Sequence, residues 1–223
     1  MLSVKHLIDT YSLTADDITQ ILDTAASFES VNNRAIKKVP ALRGRTIVNL
    51  FLEPSTRTKS SFELAEKRLS ADSLSMGGST SSVVKGESLA DTIQTISAMN
   101  VDMFVCRAKL AGTPQRITEN TDAVVINAGD GKHQHPTQAM LDLYTIRKNF
   151  GHLDGLKVAI VGDLAHSRVC GSLAPALKTM GAEVTLVGPP TFQVDDPDWF
   201  GCPQTASLDD VIEDMDVVYM LRV

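Results

Sequence analysis

No stretch of this chain is apolar for long enough to span a bilayer. Its first residues, Met1-Leu2-Ser3-Val4-Lys5-His6, also lack the apolar run of a signal peptide. Cysteine is scarce: Cys106, Cys170 and Cys202 lie far apart and form no C-x-x-C pair, which argues against a zinc site or a disulfide framework and fits a reducing compartment. A soluble, cytoplasmic protein is therefore the expectation. Basic excess is missing as well. A net charge of −6 provides no surplus to neutralise a phosphate backbone, so a general nucleic-acid binder is excluded. An anionic small substrate is not, because a site needs only a local cluster of cations. What the chain does have is apolar substance: 43% of its 223 residues are hydrophobic, enough for a real core in one large domain or two of roughly 100 residues each.

Apolar runs of strand length alternate with segments of helical period. Thr14 reads as the N-cap of an amphipathic stretch running to Phe28. Strands are expected at 46–51, 103–106, 123–127, 157–161, 183–187 and 216–223, and helices at about 56–69, 88–99, 136–148 and 167–180, with a short one at 208–214. A Gly/Ser-rich stretch from Ser75 to Gly86 reads as a loop. Strand–helix alternation means parallel sheets flanked by helices. The fold class is thus α/β, with two doubly wound parallel-sheet domains hinged near the helix at 136–149.

Two polar clusters fall where a strand hands over to a helix, the place where open α/β sheets bind ligands and helix N-termini offer free N–H groups. The first is Phe51-Leu52-Glu53-Pro54-Ser55-Thr56-Arg57-Thr58-Lys59-Ser60-Ser61-Phe62-Glu63. Its hydroxyls, fresh amides and arginine suit a phosphate, although S-T-R-T alone reads equally as an ordinary N-cap beside a solvated arginine. The second runs from Asn127 through Gly129, Gly131, His135 and Pro136 to Gln138. There His135 can donate to a carbonyl oxygen, and Gln138, about one turn on, can read an amide.

Together, F-x-E-P-S-T-R-T-x-x-S-F-E and H-P-T-Q resemble the signature pair of the aspartate carbamoyltransferases, with close relatives of both motifs in the ornithine enzymes. Agreement extends through Ser81 to Thr92, Gly162-Asp163, His166-Ser167-Arg168 and Val218 to Val223, so it covers essentially the whole chain. The resemblance implies a carbamoyl phosphate-binding domain over 1–145 and the N-terminal part of an aspartate-binding domain over 146–223. It implies that Ser55, Thr56, Arg57 and Thr58 hold the phosphate, and that Arg107 bridges phosphate and carbonyl oxygen. His135 and Thr58 would polarise that carbonyl, and Gln138 would bind the carbamoyl nitrogen. Ser81 and Lys85 match loop residues that reach a neighbouring subunit's site.

The resemblance also implies the acceptor. Aspartate carries two carboxylates, which arginines bind bidentately. Arg168 and Arg222 match family aspartate ligands, Lys85 joins them, and ornithine enzymes have no arginine at the position of Arg222. The reaction implied is attack of a neutral α-amine on the carbamoyl carbon, with Arg107, His135 and Thr58 stabilising the oxyanion and no metal, cofactor or covalent intermediate. The family further implies a homotrimer, with room for regulatory or dihydroorotase-like subunits, and no nucleic-acid or membrane partner. Three alternatives stay open at this point: an ornithine enzyme, an impaired relative with an assembly or regulatory role, and a dinucleotide-binding module suggested by Val158-Ala159-Ile160-Val161-Gly162-Asp163. The module lacks the second and third glycines of its fingerprint. Finally, Val217 to Val223 is an apolar strand ending beside a substrate arginine, so the sequence is expected to be an N-terminal portion of a longer catalytic chain.

Overall fold

The computed structural model describes residues 1–77, 88–196 and 200–222. The chain folds as two compact units, one made of Val4–Ile8 and Thr24–Gly131, the other of Met1–Ser3, Asp9–Asp23 and Lys132–Val223. Among the described residues no helix is long and apolar enough to cross a membrane.

The first unit is built on strands β1 (Thr46–Phe51), β2 (Asp72–Gly77), β3 (Met103–Ala108) and β4 (Val124–Asp130), paired in parallel in the order β2-β1-β3-β4. Side chains on a strand alternate between faces, and here both faces are apolar. Val48, Leu50, Phe104, Cys106 and Val125 pack with Ile93, Ile96 and Ile117 in one layer, while Ile47, Phe51, Val105 and Ala128 form the other. Helices α2 (Thr56–Arg68), α3 (Leu89–Ser97) and α4 (Thr113–Thr118) supply the crossovers that parallel pairing demands. The polar exception in β1, Asn49, is fully buried and donates from Nδ2 to Glu66 Oε2 of α2 at 2.8 Å. Beside β4, Leu7 N–H donates to the Val125 carbonyl and the Leu7 carbonyl accepts from Asn127 N–H.

The second unit carries β5 (Lys157–Val161), β6 (Glu183–Val187), β7 (Gln204–Thr205) and β8 (Val217–Met220), again parallel, in the order β7-β6-β5-β8. Val158, Ala159 and Ile160 in the central strand are completely buried. Helix α6 (Arg168–Thr179) buries Cys170, Leu173, Ala174 and Leu177. Helix α5 (Pro136–Phe150) packs on α6 and belongs to this unit. Helix α1 (Ala15–Glu29) begins with a reciprocal cap. Thr14 Oγ1 accepts from Asp17 N–H at 3.1 Å, and the Asp17 carboxylate accepts from Thr14 N–H at 3.0 Å.

Three sequence expectations need correction. The loop expected over 75–86 begins inside β2, whose polar Asp72-Ser73-Leu74-Ser75 pattern hides a strand paired with β1 at the edge of the described sheet, and residues 78–86 lie outside the described residues. The helix expected over 208–214 is a turn followed by a single 3₁₀ turn at Ile212–Asp214. Glu213 and Asp214 would sit at the negative end of such a helix, and the segment is too short to offset that. The last strand, expected over 216–223, spans Val217–Met220 among the described residues, and Val223 lies outside them. Helix α4, absent from the sequence reading, starts behind Gly112 at φ +78° with Pro114 in its first turn.

Candidate active site

In the first unit, the ends of β1, β3 and β4 bring together one arginine and its supports. Arg107 stands in β3 with its side chain only 12% exposed. Its Nη1 donates to Thr58 Oγ1 of α2 and to the Ala128 carbonyl of β4, both at 3.2 Å. Glu53, in the segment between β1 and α2, places Oε1 2.7 Å from Arg107 Nε. A planar guanidinium supported on several sides gives up little side-chain entropy when an anion arrives. Nothing in the sequence singles out Glu53, yet it is the counter-ion of Arg107. The only signal for it was its place in the same E-P-S-T-R-T run.

Ser55 is the N-cap of α2 in extended conformation, and its hydroxyl makes no capping hydrogen bond. Thr56 and Arg57 are exposed in the first turn of that helix and Thr58 is half-buried. The hydroxyls and amides at this helix start therefore lie on the strand-end side expected for an anion cradle. Gly131, just past β4, has φ +54°, and a Cβ there would come within 2.8 Å of the Lys109 carbonyl. Only glycine fits that turn.

In the second unit, His135 is the N-cap of α5 and is 6% exposed. Its backbone N–H donates to Ser172 Oγ of α6 at 2.7 Å, and that hydroxyl donates on to Gln134 Oε1, also at 2.7 Å. Gln134 also accepts from Thr10 N–H and donates from Nε2 to the Gly171 carbonyl at 2.7 Å. That carbonyl is available for a reason in the sequence. Pro175, four residues on, lies inside α6 and has no N–H to give it. The loop that presents His135 is thus pinned at the gap a proline leaves in a helix. Gly171 makes the close approach possible, since a Cβ there would fall 2.5 Å from the His133 carbonyl. Neither Gln134 nor Ser172 was nominated from sequence; a proline inside an otherwise helical run was the available hint.

Gln138, one turn into α5, donates from Nε2 to Asp142 Oδ1 at 3.0 Å, and Asp142 Oδ2 accepts from Tyr219 O–H of β8 at 2.9 Å. Burial raises the Asp142 carboxyl above the usual carboxylate range, and these two hydrogen bonds act against it. Burial, then the charge and hydrogen bond of Asp142, raise the Tyr219 hydroxyl, so it stays a donor. Arg168 opens α6 half-buried, behind its N-cap Ser167, whose Oγ accepts from Cys170 N–H at 3.2 Å. Arg222 follows β8 and is exposed. His166 pairs with Asp163 at 2.8 Å on the surface. Ser81 and Lys85 lie outside the described residues. A concavity of about 280 Å³ in this unit is lined by Tyr11, Lys132, His133, Leu164, Ser167 and Phe200 among others, and it contains none of the nominated ligands. Among the described residues no group of three or more His, Cys, Asp or Glu could hold a metal.

Residues 5–148 match the family model described as aspartate/ornithine carbamoyltransferase, carbamoyl-P binding domain. The aspartate carbamoyltransferase catalytic subunit of Syntrophotalea carbinolica is 51% identical over 219 residues, which is 98% of this chain and 70% of that protein. The solved catalytic subunit of M. jannaschii aspartate transcarbamoylase superposes with a TM-score of 0.86 at 39% identity, covering 97% of this chain and 73% of that one. Trypanosoma cruzi aspartate transcarbamoylase, in a structure with carbamoyl phosphate and aspartate bound, gives a TM-score of 0.89 at 31% identity, covering 98% of this chain and 73% of that one. With the strand-end arginine, the S-T-R-T helix start and the H-P-T-Q helix start in place, the chain belongs to the aspartate carbamoyltransferase family.

Proposed function

We propose that this protein transfers the carbamoyl group of carbamoyl phosphate to the α-amine of L-aspartate, giving N-carbamoyl-L-aspartate and phosphate, the committed step of de novo pyrimidine biosynthesis. The observation that carries it is Arg107, held by Glu53, Thr58 and the Ala128 carbonyl at the strand ends, next to the start of α2. In this reading Ser55, Thr56, Arg57 and Thr58 take the phosphate, and Arg107, His135 and Thr58 stabilise the oxyanion as the neutral amine attacks. Gln138 meets the carbamoyl nitrogen, and Arg168, Arg222 and Lys85 take the acceptor's carboxylates. Phosphate leaves with the amine proton. Positioning two anions against their repulsion supplies much of the acceleration. One oxyanion donor contributes ~3 kcal/mol by analogy with other acyl-transfer sites.

The functional division into 1–145 and 146–223 is supported by the carbamoyl-P model ending at residue 148. A homotrimer in the cytoplasm, with Ser81 and Lys85 serving the neighbouring subunit's site, completes the proposal. The deciding experiment supplies carbamoyl phosphate with aspartate and, in parallel, with ornithine. Formation of N-carbamoyl-aspartate is expected. Product from ornithine alone would move the chain to the ornithine enzymes, and no product from either would favour an assembly or regulatory role.

A further inference from the structure

Gln138, Asp142 and, three residues before Gln138, His135 recur at helical spacing and share one face of α5. Asp142 is 8% exposed, and each of its oxygens has its own donor: Gln138 Nε2 at 3.0 Å and the Tyr219 hydroxyl at 2.9 Å. Tyr219 stands on β8 between Val218 and Met220, which are exposed, and is itself half-buried. A side-chain amide has a donor end and an acceptor end, and its surroundings decide which faces a ligand. An ionised carboxylate only accepts. Asp142 therefore draws the NH₂ end of Gln138 to itself and leaves Oε1 as the end that can meet a ligand. With Tyr219 occupying the other oxygen, the carboxylate is fixed between helix and strand. If the amide were reversed, its NH₂ would face the NH₂ of a carbamoyl group, donor against donor.

We propose that Asp142, anchored by Tyr219, is a positioning residue that fixes Gln138 as a hydrogen-bond acceptor, so that the protein selects an acyl phosphate bearing N–H on its carbonyl carbon over one bearing a methyl group. This rests on the reading above that Gln138 meets the carbamoyl nitrogen. Acetyl phosphate is the discriminating probe, because it matches carbamoyl phosphate in shape and charge but has no N–H. The two ligands, and inorganic phosphate as a control for the anion cradle, are titrated calorimetrically into the parent, D142N, Y219F, Q138A and the D142N/Q138A double variant.

The parent binds carbamoyl phosphate more tightly than acetyl phosphate. D142N lowers that ratio by about fivefold, the equivalent of the ~1 kcal/mol of one hydrogen bond, and Y219F lowers it in the same direction. Q138A removes the preference, the double variant lowers it no further, and phosphate affinity stays constant throughout. Equal losses for carbamoyl and acetyl phosphate in D142N would mark a merely structural role and overturn the proposal. A parent with the preference, retained in full by D142N and Y219F, overturns this proposal alone; a parent with no preference overturns the underlying reading with it. Should D142N fail to fold, Y219F keeps the carboxylate and reads the same ratio.

Discussion

A guanidinium in a half-buried position is defined by what surrounds it. Arg107 has a carboxylate, a hydroxyl and a carbonyl arranged about it, whereas Arg57 and Arg222 are exposed and Arg168 is half-buried at a helix start. These environments predict different mutational signatures. Arg57→Ala should leave the fold intact, since an exposed helix-start arginine contributes little to a core, and should weaken carbamoyl phosphate binding by roughly 10-fold or more, the loss of one charge-assisted contact of at least ~1.5 kcal/mol. Calorimetry on the folded variant checks it, and parent-like affinity would contradict the cradle. Arg168→Ala and Arg222→Ala should weaken aspartate far more than carbamoyl phosphate, because only the acceptor's carboxylates lose a partner; equal losses would refute the assignment. At this scale the sequence points most clearly to residues inside its motifs: Thr58, His135 and Gln138 stand in them, and Arg107 follows from the family resemblance. It does not point to their supports: Glu53, Ser172, Asp142 and Tyr219 act through partners at up to 77 residues' separation, which no local pattern encodes.

Helices here do more than cross between strands. Proline in α6 removes a backbone donor, and Gln134 fills the place with a side-chain amide, so the imperfection of one element anchors the loop that starts another. Gly171→Ala would force a methyl against the His133 carbonyl and should lower thermal stability and perturb the His135 loop together. A differential scan together with the His135 ring signals in NMR would test this, and an unshifted Tm would show that the loop yields freely. The cap of α1 makes a pH-dependent prediction. Hydrogen bonds from Ser3, then from Thr14, hold the Asp17 carboxyl well below the usual aspartate range. A carboxyl depressed in the folded state stabilises above the unfolded pKa, so its contribution is complete above about pH 4 and is lost as the pH falls further. Asp17→Asn should therefore melt below the parent at pH 7, and the two should converge on acidification; a constant gap would contradict it. Elements with an apolar stripe or run, such as β1, β5, α1 and α6, were legible in the sequence. Polar β2 and six-residue α4 were not, because tertiary pairing rather than local pattern holds them.

Across the whole molecule, all three cysteines are buried and free. Burial pushes Cys106 and Cys170 up to about 12 and also raises Cys202, so all three are protonated at neutral pH. The native protein should react with Ellman's reagent slowly if at all, and release three equivalents once denatured; one fast thiol under native conditions would be inconsistent with this core. Every strand pair described above is parallel. Parallel neighbours cannot be joined by a tight turn, so no ladder forms until an entire crossover has been made and folded back. Contacts between residues far apart in sequence must accumulate before they stabilise one another, which slows folding and prolongs the exposure of strands such as Val158-Ala159-Ile160. For a newly made chain, the time before its sheets close is the period in which aggregation competes with folding.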